Sequence, residues 1–127
     1  MDAVTTEVLQ KALDYFLQHL ERVLFEIKTD DIHLLMLKEH LVILQDLIDA
    51  AISSVSSARA ELWRDVWTKI GGNRKELRKY EQDLALLKDI AACHRQVFRH
   101  VMATLTTLRE LKHSVEEVGT RCKKLSH

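Results

Sequence analysis

Histidine and cysteine are the side chains of this 127-residue chain best suited to metal binding or nucleophilic catalysis. Two ligands on one helix face need a spacing of three or four residues, and no pair of histidines has it. Cys93 and His94 are adjacent, and no third group in the sequence orients them as a catalytic pair. The histidines are His19, His33, His40, His94, His100, His113 and His127. The sequence therefore predicts no enzyme, no catalytic residues, no metal, no cofactor and no small-molecule substrate.

The two cysteines, Cys93 and Cys122, predict free thiols. If both lie on one helix, their separation corresponds to about 43 Å at 1.5 Å per residue. A disulfide needs Cα atoms within about 7 Å. An intrachain bridge is therefore excluded on that helix, and a bridge between two copies is the remaining alternative.

A basic cluster opens the last third of the chain, where twelve basic residues stand against seven acidic ones from Gly71 onward. Cations at the start of a helix oppose its dipole, so the cluster is either a solvated face or a contact for an anionic partner. The anion-contact hypothesis names Arg74, Lys75, Arg78 and Lys79. The net charge of the whole chain is zero, so we expect no nucleic-acid partner.

Apolar residues recur at steps of three and four along most of the chain, which places them on one stripe of an α-helix. Beyond Leu108 two successive steps of three predict a shift of register. The stripe is therefore typical of helices that pack against other helices. Its members are Leu9, Leu13, Phe16, Leu20, Val23 and Ile27; then Leu34, Leu37, Leu41, Leu44, Ile48, Ala51, Val55, Ala58 and Leu62; then Leu77, Tyr80, Leu84, Leu87, Ala91, His94, Phe98, Val101, Leu105 and Leu108; and finally Leu111, Val115, Val118, Cys122 and Leu125.

Two breaks divide the stripe into three segments of one predicted domain, 1–127. Thr29-Asp30-Asp31 can cap a following helix through short oxygen-bearing side chains. Gly71 can end a helix, and Asn73 with Glu76 forms a capping pair for the next one. The predicted helices are helix A over about 3–28, helix B over about 32–70 and helix C over about 74–125.

These segments predict an all-α fold, an antiparallel three-helix bundle or coiled coil with helices of unequal length. The stretch from Ile32 to Ile52 is apolar on several faces and needs more than one neighbour to cover it. Ile27 and Leu34 are seven residues apart, however, so the stripe continues in phase through Asp30. The alternative is a long two-helix hairpin that dimerises.

In the three-helix arrangement, helix A does not reach the end of the bundle at which helices B and C are joined. Bulky side chains at this end would be covered by two helices only, and exposed aromatic residues often mark association sites. The alternative is that they close the end of the bundle against each other. The partner-binding hypothesis names Trp63, Val66, Trp67, Ile70, Leu77, Tyr80 and Leu84.

The segments Glu61-Leu62-Trp63, Trp67–Arg78 and Asp83–Leu87 give the chain a resemblance to uncharacterised fungal coiled-coil proteins over about residues 61–118. The resemblance implies a Gly-Gly-Asn turn between a helix and a long leucine-rich helix. Some of those proteins resemble membrane-tethered proteins through a separate hydrophobic segment, which this sequence lacks. The resemblance implies no activity and no functional residues.

Together these features predict a non-enzymatic interaction or assembly module that binds a partner helix or itself through its apolar stripe. The alternative is an amphipathic protein that lays its helices on a lipid surface, a peripheral membrane contact. The acidic amino terminus lacks an apolar core, and the most hydrophobic segment, Ile32 to Ile52, contains charged residues. The sequence therefore predicts neither a signal peptide nor a transmembrane segment, and an intracellular, cytoplasmic location.

Overall fold

The computed structural model describes residues 3–68 and 74–126, which form two long α-helices and contain no strand. Helix α1 is Ala3–Thr68, with 66 residues, and helix α2 is Arg74–Ser126, with 53 residues. Proline is absent from the sequence, so no residue lacks the backbone N–H that the helix needs. The all-α prediction is confirmed. The predicted turn at Gly71 and Asn73 lies outside the described residues.

The prediction of three helices is wrong, because α1 continues through Thr29-Asp30-Asp31 without a break. The Thr29 hydroxyl donates a hydrogen bond to the Phe25 carbonyl, four residues earlier, at 2.9 Å. Asp31 forms an ion pair with Arg109 of α2, with 3.5 Å between Oδ1 and Nε. Both side chains therefore have partners other than a helix end, and predicted helices A and B are one helix. The two-helix alternative fits the structure.

The chain divides into two compact units. Unit 1 comprises Met1–Leu37 and Val101–His127, and unit 2 comprises Lys38–His100. In unit 2, the contacts Arg59–Glu81 and Leu41–His94 join earlier residues of α1 to later residues of α2. The two helices of unit 2 are therefore antiparallel neighbours, as in a hairpin.

Apart from the half-buried Asp83 and Met102, the buried and half-buried residues of α2 follow an alternation of three- and four-residue steps. This seam confirms the predicted stripe from Leu77 to Leu108. The predicted register shift after Leu108 is wrong, because Leu111 and Val118 are exposed while the alternation continues through Lys112 and Gly119. The seam of α2 consists of Leu77, Tyr80, Leu84, Leu87, Ala91, His94, Phe98, Val101, Leu105, Leu108, Lys112, Val115, Gly119 and Cys122.

The seam of α1 has the same alternation but only half of its predicted members. Every second predicted residue is replaced by the residue that follows it, as at Lys38 and Gln45, and Asp31 takes a position for which the predicted stripe has no member. The predicted residues Leu9, Phe16, Val23, Leu37 and Leu44 are exposed instead. The seam of α1 consists of Leu13, Leu17, Leu20, Leu24, Ile27, Asp31, Leu34, Lys38, Leu41, Gln45, Ile48, Ile52, Val55, Arg59 and Leu62.

Few side chains are deeply buried in either unit. In unit 1, Leu105 is the most deeply buried residue, with 1 % of its surface exposed, and Leu13 and Val101 are also buried. In unit 2 the buried residues are Leu41, Ile48, Leu77, Ala91 and His94. Each unit therefore has a narrow core that runs along the line where its two helices meet.

Candidate association surface

The seam residues define a heptad register for each helix, with the seam at positions a and d. In α1, Gln45 is at a and Ile48 at d, and in α2, Ala91 is at a and His94 at d. In an antiparallel pair, the g positions of both helices lie on one side of the seam and the e positions lie on the other. The register therefore divides the surface of unit 2 into two flanks of different chemistry.

One side of unit 2 carries exposed uncharged side chains at g and neighbouring c positions of both helices, and we call this surface the apolar flank. Other g and c positions of unit 2, such as Asp83 and Lys79, are charged. All six side chains of the apolar flank are exposed. The apolar flank consists of Leu44 and Leu47 on α1, and of Leu86, Ile90, Cys93 and Val97 on α2. On α2 these residues are spaced by four, three and four, the same alternation as in the seam itself. The apolar flank therefore has the pattern of a second seam that neither of the two described helices covers.

The opposite side of unit 2, which we call the polar flank, carries charged residues at the e positions of α2. These residues are Glu81, Lys88 and Arg95. Glu81 accepts a hydrogen bond and ion pair from Arg59 of α1, with 3.4 Å between Oε1 and Nη2. Both side chains are more than a third exposed, so this pair adds little stability and instead keeps its flank hydrated.

His94 is the polar residue of the buried core. Its Nε2 atom lies 2.5 Å from the backbone oxygen of Leu41. A carbonyl oxygen only accepts, so Nε2 carries a proton and donates it, while the buried Nδ1 atom has no hydrogen-bond partner among the described residues. The ring is stacked on Phe98, with 6.2 Å between centroids. A buried polar contact of this kind disfavours other alignments of two apolar helices, so we assign His94 a positioning role.

Unit 1 has the same apolar bias at position g and also a gap in its seam. The exposed large hydrophobic g residues are Leu9, Phe16, Val23 and Leu37 on α1, and Leu111, Val118 and Leu125 on α2. A shallow cleft of ≈ 250 Å³ lies between Leu20 and Leu24 of α1 and Gly119 of α2. A Cβ atom built on Gly119 would meet nothing within 4 Å. The cleft is smaller than a typical ligand pocket, so we interpret it as a packing defect.

The predicted partner-binding residues fall into two groups. Leu77 is buried, and Tyr80 and Leu84 are half-buried in the seam of α2, so these three contribute to packing within unit 2. Trp63 of α1 is half-buried at an e position. The side chains of Val66 and Trp67 and the whole of Ile70 lie outside the described structure. A partner contact at this end stays a prediction.

All four residues of the predicted anion contact are exposed: Arg74, Lys75, Arg78 and Lys79. Glu76 lies among them and accepts a hydrogen bond from the Tyr80 hydroxyl at 3.2 Å. This hydrogen bond, and then the negative charge of Glu76, raise the pKa of the Tyr80 phenol. The cluster is thus accessible to an anion but contains a carboxylate, and the anion contact stays a prediction.

Within the described residues, no group of three or more histidine, cysteine, aspartate or glutamate side chains is arranged to hold a metal ion. The described cysteines are free thiols, Cys93 exposed and Cys122 half-buried. By length and composition, one described helical stretch, Ala3–Asp65, could cross a membrane, and 11 % of its apolar 18-residue window is buried. The absence of a transmembrane segment and the cytoplasmic location therefore stay predictions.

No protein-family model matches this chain, and neither a curated protein nor a solved structure is similar to it. The resemblance to fungal coiled-coil proteins stays a prediction.

Sequence reasoning missed the apolar flank because it assigned Leu44 and its counterparts to the seam. Two signals mark the true register. Polar residues occupy position a on α1, where Asp31, Lys38 and Gln45 recur every seventh residue. On α2, Leu86, Ile90 and Val97 form a second stripe beside the first, and such a second stripe indicates a helix with more than one neighbour.

Proposed function

We propose that this protein is a non-enzymatic assembly module whose exposed apolar helix surface binds a partner helix or a second copy of the chain. One observation carries the proposal: the two helices leave a large apolar surface uncovered. Exposed patches of this kind mark protein–protein or membrane contacts. Among the described residues, twenty large hydrophobic side chains are exposed, whereas seven hydrophobic side chains are buried.

The total accessible surface supports the same proposal. The chain exposes 9959 Å². A compact monomer of 14.7 kDa exposes about 6,900 Å², so roughly 3,000 Å² is in excess. A standard interface buries about 800 Å² per partner, and permanent complexes bury more. The excess is therefore large enough for a permanent assembly.

The test combines light scattering with binding of the dye ANS to the purified chain. An assembly module is either an oligomer or a monomer whose exposed apolar surface binds ANS strongly. A monomer with full helicity and no ANS binding would contradict the proposal, because its apolar surface would then be covered from within.

A second candidate, contact with a lipid surface, is favoured by the mostly exposed apolar window of α1 and by the exposed basic cluster. Amphipathic helices bind anionic membranes through such combinations. In this case anionic vesicles shift tryptophan emission to the blue, and Arg74→Glu combined with Lys75→Glu reduces the shift. An unchanged emission spectrum would eliminate this candidate. Neutral vesicles are the control for the electrostatic part.

A further inference from the structure

We propose that the occupant of the apolar flank is a second copy of this chain, packed across a two-fold axis to form a four-helix bundle through unit 2. The proposal rests on the proposed function and names both the partner and the surface. Its four supports are the heptad pattern, the self-complementary shape, the charge around the flank and the available area.

The heptad pattern is that of a bundle helix. A helix that packs in a two-stranded coiled coil needs apolar residues at a and d only, while a bundle helix adds a third position, e or g. In the segments that carry the flank, both helices add g, with Leu44 on α1 and with Ile90 and Val97 on α2, whereas Glu76 and Asp83 hold g nearer the start of α2. Because g lies on the same side of the seam in both helices, the two additions form one surface.

The apolar flank is suited to contact a copy of itself, since a two-fold axis places the same surface on both sides of an interface. Its large side chains lie towards one end of the α1 segment, at Leu44 and Leu47. Small residues follow on the same side of α1, namely Ala51, Ser54 and Ala58. A second copy in the opposite direction can place large side chains against small ones, the arrangement that fills a core without voids.

The charge around the flank favours a protein over an anionic membrane. Lipid-bound helices carry lysine or arginine beside their apolar face. From Leu86 to Val97, the c and g positions of α2 hold no charged residue, and the neighbouring f positions hold Gln82, Asp89 and Gln96. The basic residues of this segment, Lys88 and Arg95, are on the polar flank.

The area is sufficient for a stable dimer. The roughly 3,000 Å² of excess accessible surface belongs to both units together, and it exceeds the 1,000 to 2,500 Å² that each partner of a permanent complex buries. A second copy therefore supplies the cover that α1 and α2 do not supply to each other.

The experiment measures the mass of the full chain by light scattering over a concentration series. The matched variants are Leu44→Glu on the apolar flank and Val42→Glu at an e position, where the native side chains are 46 % and 47 % exposed. We expect the wild type and Val42→Glu to have twice the chain mass of 14.7 kDa. We expect Leu44→Glu to weaken dimerisation by about 100-fold or more, because each copy would bury a carboxylate that has no partner in the interface.

Circular dichroism separates loss of association from loss of folding, and Ile90→Glu on the other helix repeats the test. A wild type that is monomeric at every concentration would overturn the proposal. So would equal masses for the two glutamate variants, or a mass other than that of a dimer. A monomer that binds ANS would overturn the second copy as partner while leaving the assembly function intact.

Cys93 provides an independent readout because it lies between Ile90 and Val97 on the apolar flank. In a Cys122→Ser background, its reaction with a thiol reagent should slow by at least about tenfold as the dimer forms, since burial excludes the reagent. Adding Leu44→Glu should restore the fast rate. A rate that does not depend on protein concentration would contradict the proposed interface.

Discussion

The two helices differ in where their apolar residues lie relative to the seam. On α2 the a and d positions from Leu77 to Leu108 are almost all apolar, so the line of contact coincides with the apolar arc. On α1 the a positions include Asp31, Lys38, Gln45 and Arg59, and much of the apolar arc lies outside the seam. Among the described residues, fourteen of the exposed large hydrophobic side chains belong to α1 and six to α2.

One neighbour therefore covers a larger share of the apolar side chains of α2 than of α1. A helix with a wide apolar arc buries part of it against the first neighbour and leaves the rest for another. The polar a positions of α1 fit this division, because Arg59 and Asp31 reach the polar side of α2 through ion pairs with Glu81 and Arg109. The two helices are therefore not equivalent. The apolar residues of α2 lie mainly in the seam, whereas many of those of α1 lie outside it.

The largest effect should come from shortening the most buried side chain of α2. Leu105→Ala should lower the free energy of unfolding by about 2–5 kcal/mol through lost burial and the cavity left behind. Ile43→Ala on α1, at a residue 57 % exposed, should change it by less than about 0.5 kcal/mol. Urea unfolding followed by circular dichroism measures both. Equal losses of stability would contradict the difference in burial between the seam of α2 and the exposed surface of α1.

Replacing His94 tests whether the seam of α2 uses its polar residue for stability or for alignment. His94→Ala should destabilise by about 1–3 kcal/mol, because it removes both the ring and its hydrogen bond. His94→Leu retains the volume and should match or exceed the wild type, as apolar replacements of buried polar groups often do. If urea unfolding showed the same loss for both variants, the hydrogen bond of His94 to Leu41 would stabilise the seam and not only align it.

Filling the gap in the seam of unit 1 should stabilise the protein, in contrast to the two preceding core substitutions to alanine. Gly119→Ala should raise the free energy of unfolding by about 1 kcal/mol, since alanine favours the helix and its Cβ meets open space. Thermal unfolding measures the gain. Ser114→Ala, on an exposed turn of the same helix, is the control for propensity alone. A loss of stability would mean that the glycine is required for a close approach.

The smallest effect should come from the ion pair of unit 1. Arg109→Gln should cost no more than about 1 kcal/mol, because the arginine side chain is 60 % exposed and water screens its charge. The cost should shrink further in high salt. Comparison of urea midpoints in low and high salt measures this. A large, salt-independent loss would show that Asp31 needs its partner as a buried charge does.

Much of the fold could be predicted from the sequence, and the reason lies in periodicity. The seam of α2 follows from the spacing of residues from Leu77 to Leu108, because the a and d positions there are almost all apolar and form one continuous stripe. The absence of proline and the in-phase spacing of Ile27 and Leu34 also pointed to one long α1. Thr29 and Asp31 were misread as a break, because capping and mid-helix roles use the same side chains.

The apolar flank could not be predicted in the same way. On α1 two adjacent residues often compete for one seam position, as Phe16 does with Leu17 and Leu37 with Lys38. At the second pair the sequence favours the apolar Leu37, but Lys38 lies in the seam. Which of the two residues is buried depends on where α2 packs against α1, and the sequence of α1 alone does not contain that information. The predicted aromatic site at Trp63 and Tyr80 depended on a third helix, and with α1 continuous the reason for placing the site there is lost.

The sequence separation of the interhelical contacts sets an order of folding. Arg59 and Glu81 are 22 residues apart, whereas Leu41 and His94 are 53 apart. Closing a loop costs about 0.6 kcal/mol more for each doubling of its length, so contacts near the middle of the chain form first and the others follow outward. During synthesis, α1 emerges complete before any of its α2 partners. The nascent chain therefore exposes the whole apolar arc of α1 for longest, and this is the interval in which a chaperone, or a neighbouring nascent copy, has most to bind.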